Sequence, residues 1–181
     1  MKDKLKKAAA LLLFKRHKYP GAKEWELRKY LGEHYEEILK VLEEDLEPLG
    51  LQIKCIEEGD TKHYAVVVKD EKLTREIKTY GWRIDEMAVL AVSLSYILSR
   101  GGKAAEKDLI DIISNKIARW RVERAIEKFI RLGYLEREDD SLKIGLRSKI
   151  EFNLERLVRL FIGAERVIGT SREDFSSRPQ E

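Results

Sequence analysis

Residues 107–146, KDLIDIISNKIARWRVERAIEKFIRLGYLEREDDSLKIGL, decide the fold. From Ile117 onward the apolar residues Val122, Ala125, Ile126, Phe129 and Ile130 recur at three- and four-residue spacing, the period of one helix face. The other face carries Lys116, Arg119, Arg121, Arg124, Lys128 and Arg131. Ser114 and Asn115 offer caps at its start, and Gly133 supplies the left-handed position that ends helices. Residues 134–138 then run into Asp139-Asp140-Ser141, a turn cluster. Leu142-Lys143-Ile144-Gly145-Leu146 returns with strict alternation, so a hairpin follows the helix directly.

A short helix, a longer basic helix and a hairpin are the ordered parts of a winged helix, and the first part of the chain offers them too. Leu5, Ala8, Ala9, Leu12 and Leu13 give the buried face of a first helix, broken at Tyr19-Pro20-Gly21. Residues 22–31 read as a second helix with Trp25, Leu27 and Leu31 inward. Residues 33–49 read as a third, with Ile38, Leu39, Leu42, Leu46 and Leu49 on one side and Pro48 in its last turn. Residues 51–56 and 63–68 read as strands around the turn 57–60. Sliding the sequence by about 83 residues places Leu39, Leu42, Leu46, Leu49 and Gly50 on Val122, Ala125, Phe129, Leu132 and Gly133. Upstream of the second copy, residues 83–99 supply a first helix and Gly101-Gly102 its breaker.

The expected fold is therefore α+β and mostly helical, with two tandem winged-helix domains at 1–69 and 82–149. A linker at 70–81 is able to form a helix, a C-terminal helix spans 150–168, and a polar, disordered tail spans 169–181. The alternative is one continuous α+β domain whose two hairpins pair with each other.

Composition bounds the rest. The chain has 181 residues, 43% hydrophobic and 38% charged, ordinary for a folded protein rich in surface charge. One cysteine, Cys55, forms no intramolecular disulfide, so a reducing, cytoplasmic setting is expected. Abundant Lys, Arg and Glu resemble a heat-adapted composition. The apolar run 8–14 is at the bare minimum for a signal peptide and ends in Lys15-Arg16-His17-Lys18, so neither export nor membrane insertion is expected.

Two winged helices joined by a short linker, with a further helix after the second, resemble the kleisin-interacting tandem winged-helix family. That family includes bacterial ScpB, MukE and the MAGE-type subunits of SMC complexes. The resemblance is carried by residues 87–99 (MAVLAVSLSYILS), 122–136 (VERAIEKFIRLGYLE) and Gly145-Leu146-Arg147-Ser148. It is architectural, and it implies an accessory subunit of a chromosome-organising complex.

The two third helices differ in sign. In the first, Glu33, Glu36, Glu37, Glu43, Glu44, Asp45 and Glu47 surround Lys40, and a helix of that sign does not lie along phosphates. It is either a solvated face or a protein-binding one. In the second, Lys116, Arg119, Arg121, Arg124 and Lys128, with Lys143 on the hairpin, offer donors to double-stranded DNA. Glu123 and Glu127 can pair with Arg119 and Arg131 at i,i+4 and weigh against this.

In the last helix Leu154, Leu157, Phe161, Ala164 and Ile168 follow a heptad seam that Val158 widens. That face is buried on its own domain, on a protein partner, or on a second copy. His17, His34 and His63 are too scattered for a metal set, and no phosphate-binding or nucleophile-elbow motif is present. Neither catalysis, a cofactor nor a small-molecule substrate is expected. Two functions remain open: an SMC-type accessory that binds DNA and protein, and a free-standing dimeric transcriptional regulator that reads a palindrome.

Overall fold

A computed structural model describes residues 2–14, 19–69, 82–154, 156 and 157. The first unit runs α1 (Lys2–Leu13), β1 (Ala22–Lys23), α2 (Glu24–Leu31), α3 (Tyr35–Leu46), a 3-10 turn (Glu47–Leu49), β2 (Leu51–Glu58) and β3 (Thr61–Val68). The second repeats that order without the 3-10 turn: α4 (Ile84–Ser99), β4 (Lys103–Ala105), α5 (Glu106–Ser114), α6 (Arg119–Leu132), β5 (Leu135–Glu138) and β6 (Ser141–Ile144). It is followed by α7 (Leu146–Glu151).

Each unit has one small antiparallel sheet, ordered β1-β3-β2 and β4-β6-β5. A strand of two or three residues ahead of the second helix closes each hairpin on its free edge: Ala22 pairs Tyr64, and Ala104 pairs Leu142. Among the described residues the hairpins do not pair with each other.

Helical spacing sets the cores. Helix α3 buries Ile38, Leu39, Leu42 and Leu46; α6 buries Val122, Ala125, Ile126 and Phe129. The offset of 83 thus matches buried position to buried position at Leu39 and Val122, Leu42 and Ala125, and Leu46 and Phe129, and Gly50 and Gly133 both end their helical segments in the left-handed region, at φ 71° and 81°. In the second unit Trp82 stacks on Phe129 at 5.4 Å between ring centroids. Tyr134 meets Trp82 edge-on at 5.3 Å.

Several expectations need correction. Residues 22–31 are not one helix, because Ala22 and Lys23 complete the sheet and the Lys23 N–H is capped by Glu26 at 2.9 Å. Trp25 is 56% exposed and Leu49 69% exposed, so neither is inward. Pro48 sits in the 3-10 turn, which rotates Leu49 off the α3 stripe. His63 is buried beneath β1, its Nε2 2.7 Å from the Pro20 carbonyl; the carbonyl only accepts, so Nε2 holds the proton. Ser114 and Asn115 do not cap α6: Ser114 ends α5, and the turn is closed by Lys116 and Ile117 N–H groups on the Ile113 carbonyl. No single helix begins at Ile150. Helix α7 already spans that position, the backbone extends at Phe152, and a new helical start at Leu154 follows, with Asn153 Oδ1 accepting from the Arg156 N–H. The linker at 70–81, residues 158–168 of the expected C-terminal helix and the tail lie outside the described residues.

Helix α7 ties the units together. The second hairpin folds back closely enough that a Cβ on Gly145 would lie 2.3 Å from the Gly133 carbonyl oxygen, so only glycine fits there. The chain then lays Leu146 and Ile150 against Ala65, Ile56 and Val67 of the first sheet. Lys54 Nζ donates to the Lys149 and Ile150 carbonyls at 2.8 and 3.0 Å, filling acceptors at a helix end. Burial lowers the Lys54 ammonium pKa from its usual value. Lys54→Met leaves those carbonyls unmet and is expected to cost about 1–3 kcal/mol. In urea the first unit should then unfold ahead of the second; a single unchanged transition would remove Lys54 from the joint.

Candidate interaction surfaces

Two surfaces carry the chemistry, the outer side of α6 and a groove between the units. On α6 the core residues Val122, Ala125, Ile126 and Phe129 define the inner side. One flank of the helix faces α4. There Lys128 Nζ lies 2.8 Å from both carboxylate oxygens of Glu86 and 5.3 Å over the Trp82 ring, and Arg121 reaches Asp85 at 3.4 Å. The Lys128 ammonium holds the Glu86 carboxyl below its usual range. The other flank faces α5, where Arg119 pairs with Asp111 at 2.7 Å and Glu123 at 2.9 Å. Arg137 of β5 clasps Glu106 and Glu127. Expectation and structure agree on Arg119–Glu123, but Glu127 turns to Arg137 and leaves Arg131 without it.

The six residues expected to touch DNA therefore divide. Arg119, Arg121, Lys128 and Lys143 are held by carboxylates, whereas Lys116 and Arg124 are exposed and make no ion pair among the described residues. Arg131 belongs with them: it stands on the same outer side of α6, makes no ion pair among the described residues, and is absent from the expected set. Trp120, 59% exposed, stands on that stripe one turn before Arg124, with Lys116 in the turn ahead of the helix. Helical spacing alone could have separated the stripe from the flanks, since positions 120, 124, 127 and 131 recur at three and four. What spacing cannot show is the acids that α4 and α5 bring to the flanks.

Lys143 is tied down further along the hairpin. Glu138 accepts from Lys103 Nζ and Lys143 Nζ, each at 2.6 Å, and these ammonium groups pull its carboxyl from 4.5 to about 2. A carboxylate depressed by folding adds stability above its unfolded pKa, and that stability is lost as pH falls toward the folded value. Glu138→Gln is expected to flatten the fall in melting midpoint between pH 4.5 and about 2, more at low salt than at high. An unchanged acid profile would contradict the clasp.

The groove measures about 970 Å³. The first unit contributes Gln52, Lys54, Val66 and Val68; the second contributes Trp82, Met87, Leu90 and Leu94. Phe152, Leu154 and Leu157, beyond α7, line it while packing on the core of the second unit. Its cations are met within the chain: Lys54 by carbonyls, Lys69 by Glu47, Arg147 by Glu151 and Lys149 by Glu58. The unmet demand of the groove is thus apolar. Of the six residues expected to bind a partner, Leu154 and Leu157 lie here; Val158, Phe161, Ala164 and Ile168 lie outside the described residues.

The acidic side of α3 stays acidic, with Glu36, Glu37, Glu44 and Asp45 turned away from its core. Glu43 accepts the Ile53 N–H at 3.0 Å. Among the described residues no cluster of three His, Cys, Asp or Glu side chains can hold a metal ion, and no helix is long and apolar enough to cross a membrane.

Fold and surfaces together define an α+β, winged-helix-like protein with small antiparallel sheets. Comparison with solved structures finds similarity to a chain of the "Nse1-Nse3-Nse4 complex", with a TM-score of 0.55 and 18% sequence identity. The match covers 70% of this chain and 58% of that one, so this protein aligns with little more than half of its neighbour's length. At this identity the likeness is one of fold, and it agrees with the architectural resemblance drawn from the sequence. No protein-family model and no curated protein matches the sequence.

Proposed function

We propose that the two units are tandem winged-helix domains, 1–69 and 82–149, with α7 crossing the second boundary, and that the chain is a non-enzymatic accessory of a chromosome-organising complex. The groove between the units carries this reading. Its lining is mostly apolar, it draws on both units and on residues 152–157, and its volume suits an amphipathic segment of a partner protein. Fold similarity to a chain of a multi-subunit assembly supports a partner-binding role. DNA contact falls to α6 of the second unit, through Lys116, Arg124 and the neighbouring Arg131, because these cations are not consumed by carboxylates. The acidic α3 keeps the first unit off phosphates and leaves it to protein.

The alternative, a dimeric transcriptional regulator, draws on the heptad seam that starts at Leu154. Against it, the first two seam residues already pack on their own second unit. Light scattering separates the readings. The accessory is a monomer of 21.2 kDa that binds duplexes of different sequence with equal affinity. A dimer that prefers one palindrome would contradict the accessory reading.

A further inference from the structure

We infer that the outer stripe of α6 takes a single strand of DNA, with an unpaired base stacked on Trp120. This rests on the assignment of DNA contact to α6 and narrows its ligand.

The argument is one of shape and charge. A helix seated in a major groove about 12 Å wide has a phosphate wall along each flank. Both flanks of α6 are lined with carboxylates: Asp111 and Glu123 on one, Asp85 and Glu86 on the other. Their partner cations are already engaged, so insertion would press fixed acids toward both walls. Only the ridge between the flanks is free. It carries Trp120, Arg124, Glu127 and Arg131, with Lys116 in the turn just ahead of the helix; Arg137 takes the Glu127 carboxylate, and the three cations make no ion pair among the described residues.

A ridge meets one strand, not two. The indole is 59% exposed, and the Arg121 guanidinium lies 5.2 Å from its ring centroid. An exposed tryptophan beside cations is the arrangement on which bases of a flexible single strand stack, while the cations take its phosphates. In duplex DNA the base faces are stacked on each other and closed to Trp120.

The test titrates the full chain with fluorescein-labelled oligothymidylate and with a blunt random duplex of the same length, reading anisotropy and tryptophan emission. Oligothymidylate is expected to bind more tightly and to quench emission. Trp120→Ala should lose about fivefold or more on the single strand, with less than a twofold change on the duplex; Trp120→Phe should keep most of the affinity. Equal binding of both DNAs with no effect of Trp120→Ala would overturn the stacking site while leaving DNA contact by α6 intact. Failure of both DNAs to bind would overturn the site together with the reading beneath it.

Discussion

Replacing Arg124 and Arg131 together with Glu is expected to lower the affinity for DNA by about a hundredfold or more at low salt. Two charge-assisted contacts, each worth about 1.5 kcal/mol or more, are lost and replaced by repulsion. Both side chains are solvent-facing on α6 and make no internal ion pair among the described residues, so the fold should not register the change. Arg119→Gln is the matching control. Its guanidinium is held by Asp111 and Glu123, and its loss should cost about 0.2–1 kcal/mol of stability with little effect on affinity. A weak effect of the double reversal, or a strong one of Arg119→Gln, would place the contact surface on the flank.

The largest effect on folding should come from Phe129→Ala. Phe129 is fully buried, stacked by Trp82 and met edge-on by Tyr134, on the helix that carries the proposed DNA contacts. Truncating a buried aromatic costs about 3–5 kcal/mol, and in a chain of this size that lowers the melting midpoint by roughly 6–20 °C. Trp82 loses its stacking face, so its emission should shift to the red in the native state. A near-wild-type midpoint would mean that the aromatic cluster is not the centre of the second core.

Helix periodicity made most of the architecture readable, because the residues that alternate between core and solvent are the ones that pack. The buried stripe on α6 and its counterpart on α3 follow the spacing of their apolar positions, and the glycines at 50 and 133 fall where the left-handed turns occur. What spacing missed is short or non-local. The strand Ala22–Lys23 is two residues long, too brief for any alternation, and exists because Tyr64 and His63 lie across from it. Lys23 of that strand lies across from His63, which is buried. The break at Phe152 comes from docking α7 on the first sheet, a tertiary demand invisible in a seam of leucines.

The interaction surfaces were readable by residue type and not by availability. Every cation on the second helix looked alike in the sequence. Asp85 and Glu86 sit more than thirty residues upstream in the chain, yet α4 delivers them to Arg121 and Lys128. Glu127 stands four residues before Arg131 and is spaced to pair with it, but Arg137 from the hairpin takes that carboxylate. Which residues wall the groove was not legible, since they come from β2, β3, α4 and residues 147–157. Leu154 and Leu157 gave the one legible sign of it.

The most direct test of DNA contact by α6 is a fluorescence anisotropy titration of a random duplex with the purified protein at a series of salt concentrations. Three free cations on the stripe predict a slope of log affinity against log salt of about −3, falling to about −1 in Arg124→Glu/Arg131→Glu. No binding at low salt by this duplex and by a single strand alike, or an unchanged slope in the double variant, would contradict the account and return α6 to the role of a solvated, ion-paired helix.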